Sequence, residues 1–282
     1  MIYNPTAGWR RRRLLERVLE RLGALGCAVS VFETGARGDA EARARGLDTA
    51  LFDAVVAAGG DGTINEVVNG LGDANLPLGI VPLGTANVLA AELGLTLEPD
   101  ALAHAIAAGR PVPVFPGCAN GRRFTMMTGV GFDARVVAGI DPALKRALGK
   151  AAYVVSACGA LARFAPSRYA VEIDGTRHEA AGLIIAKGHF YGGRFVVAAQ
   201  ARLEEPMLQA ALFAGAGRGD VLRYAAALAL NRVETLGDVR VVPAREVRVA
   251  GPAGEAVQLD GDLAATLPLV VTVAARPIAL LR

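Results

Sequence analysis

Between the apolar run that ends at Ala58 and a helical pattern beginning near Thr63 lies Gly59-Gly60-Asp61-Gly62-Thr63, three glycines around one aspartate. Glycine is required where a backbone must come close to another group. N–H groups exposed at a helix start, with the helix dipole behind them, favour an anion. Three further loops have a related composition: Asn4-Pro5-Thr6-Ala7-Gly8, Thr34-Gly35, and Pro82-Leu83-Gly84-Thr85-Ala86-Asn87. The anion they suggest is phosphate. Beyond the glycines, Ile64, Val67, Val68 and Leu71 recur at helical spacing and are expected inside. That places Asn65, Glu66 and Asn69 on the outer face, with Asp61, Glu66 and Asn69 bordering a ligand cleft.

Taken singly, each loop has a plainer reading: an ordinary turn at Gly59-Gly60, a helix cap at Thr63, a helix start at Asn87. Four loops that each follow a strand argue together for one common ligand. The spacing excludes other phosphate loops, since no GxxxxGK[ST] occurs and no GxGxxG follows the first strand. The pair Gly129 and Gly131 lacks the third glycine and lies in a β-rich region.

The elements that must carry these loops alternate. MIYNP is short and apolar, Arg11 to Leu25 has helical spacing, Val29 to Phe32 is β-rich, and Ala40 to Leu51 is polar and helical. The continuous apolar runs Ala54 to Ala58 and Leu78 to Val81 follow. Continuous apolar strands between helices indicate a parallel sheet covered on both faces, with ligands bound outside the carboxyl ends of its strands. From about Pro111 short strand patterns dominate, and Asp174-Gly175 and Asp260-Gly261 are hairpin dipeptides. Helical patterns persist there at Pro142 to Phe164 and Asp220 to Asn231. The expected fold is α/β: an open parallel-sheet nucleotide-binding domain over residues 1–110, then a mostly antiparallel β-sandwich domain over 111–282. This division admits a C-terminal tail that returns to the first domain. The cleft between the domains is the expected place for a site.

Hydrophobic residues make up 53% of the 282 and charged ones 20%, which excludes a disordered or fibrous chain. The longest uncharged stretches are broken by Pro77, Pro82, Gly84 and Asn87 before reaching the roughly 18 apolar residues of a membrane span. The amino terminus lacks the layout of a signal peptide. Cys27, Cys118 and Cys158 form no CxxC pair, which suits a reducing cytoplasm. His104, His178 and His189 have no partner at metal spacing. A net charge of +3 is weak support for a polyanionic partner, and no nucleic acid is expected. Arg10 to Arg13 are splayed about 100° apart on a helix, so a solvated face is favoured over a role beside phosphates or an anionic membrane.

NPTAG, GGDGTINEVVNGL and PLGTANVLAAELGL, in that order, with GVGFDARVV and a late VQLDGD, resemble the diacylglycerol kinase catalytic-domain family in its bacterial lipid kinase branch, related to sphingosine and ceramide kinases. The resemblance covers essentially the whole chain. It implies an α/β nucleotide-binding domain and a β-sandwich domain, with ATP, Mg²⁺ and a lipid alcohol meeting between them. It also implies nucleotide contacts at Asn4, Pro5, Thr6, Ala7, Gly8, Thr34, Gly59, Gly60, Asp61, Gly62, Thr63, Asn65, Glu66, Gly84 and Thr85. The family's DGE motif stands here as Asp260-Gly261-Asp262, so Asp262 takes the place of the proposed glutamate base, shorter by one methylene and roughly 1.5 Å.

A further departure is AAQARLEEPML, Ala198 to Leu208, where relatives hold a structural Mg²⁺ partly on main-chain carbonyls. The matching positions are Arg202, Glu205 and Met207. Glu205 keeps a hard oxygen ligand, but Pro206 replaces a flexible glycine and Arg202 adds a positive charge, so this metal is expected to be absent or weak. Val88 stands where relatives often have Asp.

The expected activity is ATP-dependent phosphorylation of a lipid alcohol, of diacylglycerol or sphingoid type, with catalytic Asp61 and Asp262. The acyl chains would lie on the β-rich domain and the apolar segment Tyr224 to Leu230. Peripheral, transient membrane contact of a cytoplasmic protein suffices, and a homodimer is left open. Two other readings compete. One is a soluble kinase of NAD kinase type, which shares GGDGT, although its GTGSTAY-like loop is missing. The other is a catalytically weak nucleotide or lipid sensor. The first strand has barely three residues before its loop, which leaves open a native start upstream of Met1.

Overall fold

A computed structural model of the chain describes residues 1–7, 11–140, 151–163 and 165–282. Gly8, Trp9 and Arg10 lie outside the described residues, as do the first turns of the helix expected from Pro142 and its last residue, Phe164. The chain divides into two compact units, Met1–Phe115 with Ala275–Arg282, and Pro116–Ala274.

The first unit is one sheet with strands β1 (Ile2–Tyr3), β2 (Phe32–Glu33), β3 (Val55–Gly59), β4 (Leu78–Pro82), β5 (Pro111–Val114) and β20 (Ile278–Leu281), in the order β2-β1-β3-β4-β20-β5. The first four run parallel, β20 runs parallel to β4, and β5 is antiparallel to β20. Every residue of β3 and β4 is buried, which follows from their continuous apolar composition and central position. Strand β5 was expected in the second domain. It belongs to the first unit because Pro111 to Val114 pair with Leu281 to Ile278, a contact between residues far apart in sequence.

Helices α1 (Arg12–Ala24), α2 (Asp39–Arg45), α3 (Asp61–Leu71), α4 (Val88–Glu92) and α5 (Pro99–Ala108) connect the strands. Leu15, Val18 and Leu22 of α1 pack with Val56, Val81, Leu102 and Ala103 in one apolar cluster. On α3 the apolar positions are buried as expected, but Asn65 is buried too, 7% exposed, and is not on an outer face. On another face of α3, helix α2 packs closely, so that a Cβ on Gly70 would stand 2.3 Å from the Glu41 carbonyl oxygen. Asn65 Oδ1 accepts from Asn69 Nδ2 at 3.0 Å along the helix.

The second unit is an antiparallel sandwich. One sheet holds β6 (Gly117–Ala119), β7 (Arg122–Phe124), β9 (Tyr169–Ile173), β10 (Thr176–Ala180), β16 (Glu246–Ala250) and β19 (Leu269–Val273). The other holds β8 (Met127–Val130), β11 (Gly182–Ala186), β14 (Leu208–Phe213), β15 (Val239–Ala244), β17 (Ala256–Leu259) and β18 (Asp262–Thr266). Tyr169, Val171, Val247, Val249 and Val271 from the first sheet meet Val130, Leu183, Ile185, Leu208 and Val257 from the second in one core. Alternate residues of these strands point inward, as the pleat demands. Both hairpin dipeptides have positive φ at each residue, 46° and 83° at Asp174-Gly175 and 50° and 87° at Asp260-Gly261, the type I′ geometry that joins β9 to β10 and β17 to β18.

A small hairpin pairs β12 (Phe190–Tyr191) with β13 (Phe195–Val196). Helices α6 (Phe132–Ala138), α7 (Ala151–Ala162) and α8 (Arg218–Ala229) complete the unit. Tyr224 and Ala227 of α8 are buried against Val233 and Val239 with Phe213. The acyl-chain trough expected at Tyr224 to Leu230 is therefore corrected: its Tyr224 face is the helix's own packing surface. No described helix is long and apolar enough to cross a membrane.

Candidate functional site

The four glycine- and threonine-rich loops follow β1, β2, β3 and β4, which run parallel, so they gather at the carboxyl edge of the first unit's sheet. Hydrogen bonds fasten them to one another. Asn4 N donates to Ala58 O at 2.9 Å, and Asn4 Nδ2 donates to Thr63 Oγ1 at 3.1 Å, tying the first loop to the third. Thr6 donates both its N–H and its hydroxyl to Asn4 Oδ1, at 3.0 and 2.8 Å. Pro5 and Ala7 are half-buried in this turn, whereas Gly8 lies outside the described residues. Thr34 is buried, and its N–H donates to Tyr3 O at 2.8 Å. Asp39 holds the loop after it, since Oδ2 accepts from Gly35 N and Ala36 N at 2.8 Å each.

The loops after β3 and β4 touch through backbone. A Cβ on Gly60 would meet Gly84 Cα at 3.3 Å, and a Cβ on Gly84 would meet Gly60 Cα at 2.5 Å. A Cβ on Gly59 would fall 2.5 Å from Thr63 Oγ1. Two of these glycines are therefore required by the protein's own packing as well as by any ligand. Leu83 N and Gly84 N both donate to Gly59 O, at 2.9 and 3.3 Å. Thr85 is exposed at the loop tip. Asn87, at φ 48°, turns its Nδ2 to Gly84 O at 2.8 Å, and its buried Oδ1 has no partner.

Asp61 opens α3, where first-turn N–H groups lack intrahelical acceptors, and Gly62 follows it. Its Oδ1 accepts from Leu89 N at 3.3 Å, so the carboxylate also steadies the start of α4. Glu66 was expected to border a ligand. It is half-buried, and its Oε1 accepts from Gly38 N at 3.0 Å at the start of α2, which makes it a brace between helices. Of the arginine block, Arg11 donates to the Pro82 carbonyl at 2.9 Å, at the root of the fourth loop, and Arg12 pairs with Glu16 in solvent. The sequence held no signal for that long-range Arg11 contact.

In the second unit the Asp260-Gly261-Asp262 turn is strongly held. Asp260 accepts four hydrogen bonds: from Thr125 N at 2.6 Å, Thr125 Oγ1 at 2.9 Å, Met126 N at 2.8 Å and Met127 N at 3.1 Å. Asp262 is half-buried at the start of β18. Beneath the turn lies a polar cluster absent from the expected site. Gln258 Oε1 accepts from Gly261 N at 2.7 Å, and Gln258 Nε2 donates to Asp133 Oδ2 at 2.8 Å. The Tyr191 hydroxyl donates to Asp133 Oδ1. Burial pushes the Asp133 carboxyl above its usual range, with these two donors opposing the shift. Gly129 has to be glycine here, since a Cβ would fall 1.7 Å from Asp133 Oδ2. Of the expected metal positions, Arg202 and Glu205 are exposed and Met207 is partly buried. Among the described residues, no group of three His, Cys, Asp or Glu side chains could hold an ion.

The first unit is thus a parallel sheet with glycine-rich loops at its carboxyl edge, and the second an antiparallel sandwich with an Asp-Gly-Asp turn. Residues 1–118 match the diacylglycerol kinase catalytic domain, and residues 126–282 match the YegS C-terminal NAD kinase beta sandwich-like domain. The chain is 32% identical over 277 residues to a diacylglycerol kinase of Bacillus subtilis (strain 168), covering 95% of this chain and 90% of that protein. It is 31% identical over 191 residues to a diacylglycerol kinase of Staphylococcus aureus (strain MRSA252), 67% of this chain and 61% of the other. In fold it is similar to a crystal structure of a diacylglycerol kinase from Bacillus anthracis str. Sterne, with a TM-score of 0.81 at 22% identity over 99% of this chain and 95% of that one. The chain belongs to the diacylglycerol kinase family, in its bacterial lipid kinase branch.

Proposed function

We propose that this lipid kinase uses ATP, with Mg²⁺, to phosphorylate the hydroxyl of a lipid alcohol of diacylglycerol or sphingoid type. The observation that carries the ATP reading is the backbone contact of Gly60 with Gly84, which brings two glycine loops together at the opening turn of α3. Such loops with first-turn N–H groups suit a polyphosphate. The residues fit the group, because Gly60 and Gly84 carry no side chain at the loop contact and Thr85 is exposed at the loop tip. They also fit Mg²⁺ in its usual manner, one protein carboxylate with the remaining positions left to phosphates and water; that carboxylate is Asp61. Bound Mg²⁺ would supply charge neutralisation of the polyphosphate.

Within this reading Asn4, Thr6, Gly59 to Thr63, Gly84 and Thr85 bind and orient the nucleotide. Pro5, Ala7 and Thr34 shape the loops, and Asn65 and Glu66 act one step behind, Asn65 within α3 through Asn69 and Glu66 by fixing α3 against the start of α2. Asp262 takes the proton of the acceptor hydroxyl, and Asp260, Gln258 and Asp133 set its turn. Phosphoryl transfer depends mainly on positioning and electrostatic stabilisation, which is what such braced loops supply. Exposed Leu222, Leu230 and Phe195, beside Arg194 and Arg232, support peripheral contact with an anionic lipid surface.

Incubation with labelled ATP and a panel of diacylglycerol, sphingoid base, ceramide and NAD tests the reading. Label in a lipid product is expected. Label in NAD would instead favour the soluble kinase, and binding of ATP without transfer would favour a sensor.

A further inference from the structure

The segment 197–208 leads from the small hairpin into β14, and its carbonyl oxygens converge on positive charges that the chain itself provides. Lys187, at the end of β11, is 0% exposed. Its Nζ donates to the Arg202 carbonyl and, at 3.1 Å, to the Leu203 carbonyl. The Arg202 guanidinium folds back to donate Nη1 to Ala199 O at 2.8 Å and Ala201 O at 2.7 Å. The carbonyls of 199, 201, 202 and 203 thus share two protein cations. The segment is also tied outward, with Ala199 N donating to Glu234 Oε1 at 2.6 Å and Val196 N to Asn231 Oδ1 at 2.7 Å.

Convergent main-chain carbonyls are the ligands that hard divalent ions use, and the family resemblance puts such an ion here, on Arg202, Glu205 and Met207. The residues present do not fit it. The Arg202 carbonyl is taken by Lys187 Nζ. The Glu205 carbonyl accepts from Met207 N at 2.8 Å across Pro206, and the Glu205 side chain is exposed. An ion at these carbonyls would face a buried ammonium, and a buried charge is tolerated only where its hydrogen bonds are met.

We propose that the Lys187 ammonium is a built-in substitute for the loop metal, so that segment 197–208 is ordered without any divalent cation. This inference is independent of the ATP reading, and its test contains no nucleotide. Hydrogen exchange of the nucleotide-free protein is measured across 197–208 in EDTA and in millimolar Mg²⁺. The parent should show the same protection in both. Lys187→Met should exchange at least about tenfold faster in this segment in EDTA, as expected when hydrogen bonds from a charged donor are lost, and Mg²⁺ should restore part of the protection.

Protection gained by the parent on adding Mg²⁺ would overturn the proposal. So would parent-like protection of Lys187→Met in EDTA, or a loss that Mg²⁺ does not repair. Should Lys187→Met fail to fold, the parent arm decides by itself: equal protection in EDTA and in Mg²⁺ upholds the proposal, and protection gained in Mg²⁺ overturns it.

Discussion

Replacing Gly84 by alanine probes the contact on which the nucleotide reading rests. The new Cβ would stand 2.5 Å from Gly60 Cα, 2.9 Å from Asn87 Oδ1 and 3.4 Å from Gly60 N. Non-bonded carbons settle at about 3.5–4.0 Å, so the two loops must separate by about 1 Å. Neither close neighbour is the free end of a flexible chain, because one is backbone and the other belongs to an amide anchored on Gly84 O and Pro82 O. Overpacking of this kind costs about 1–3 kcal/mol. A displacement of about 1 Å between groups that position a ligand can also lower activity roughly 100-fold. The reciprocal change is milder. Gly60→Ala places its Cβ 3.3 Å from Gly84 Cα, at φ −92° where any residue is at ease, and a shift of a few tenths of an ångström, on the order of 0.2–0.5 Å, relieves it. Urea unfolding of both variants, with ATP affinity by calorimetry, separates packing from binding. Gly84→Ala is expected to lose about 1–3 kcal/mol and most of its ATP affinity, and Gly60→Ala less than about 1 kcal/mol. A Gly84→Ala protein as stable as the parent, or one less damaged than Gly60→Ala, would refute the packing argument. Normal ATP affinity in a destabilised Gly84→Ala would refute the cradle alone.

Asp61→Asn keeps an acceptor for Leu89 N and is expected to fold normally while turnover drops by about 10²–10⁴; activity within about threefold of the parent in a steady-state assay would remove Asp61 from the chemistry. Asp262→Asn should slow the single-turnover step without changing ATP affinity, and Asp262→Glu, which restores the family's residue, should keep or raise the rate. Normal turnover of Asp262→Asn would pass the proton to Asp61. Asp133 carries a pH signature: its folded carboxyl titrates above its unfolded one, so the native state holds the proton longer, and this group's contribution to stability is present below about pH 4 and declines as pH rises through the folded value. Thermal melts across that range should show the decline in the parent and not in Asp133→Asn, and identical profiles would count against it. Asp260→Ala removes four hydrogen bonds to one carboxylate and should cost at least about 2 kcal/mol in a denaturant titration.

What the sequence determined by itself was whatever depends on neighbours along the chain. Continuous apolar runs such as Ala54 to Ala58 reported a strand buried on both faces, because no polar alternation was left to meet solvent. Asp174-Gly175 and Asp260-Gly261 reported their own turns, since positive φ at consecutive residues is a local demand. The glycine loops were legible for the same reason, and the order of the motifs carried the family. Tertiary structure alone decided which groups from distant segments meet. Periodicity assigned Asn65 to an outer face, but burial depends on what the fold packs there, and the residue is 7% exposed. β5 joined the first unit through a strand that begins at Ile278. Asp133, Tyr191 and Gln258 lie in three separate motifs, and Lys187 reaches the carbonyls of a loop that follows a hairpin. Each of these is a hydrogen bond or contact whose partner is chosen by the fold, and the desolvation that makes the choice costly to violate exists only once the core has closed.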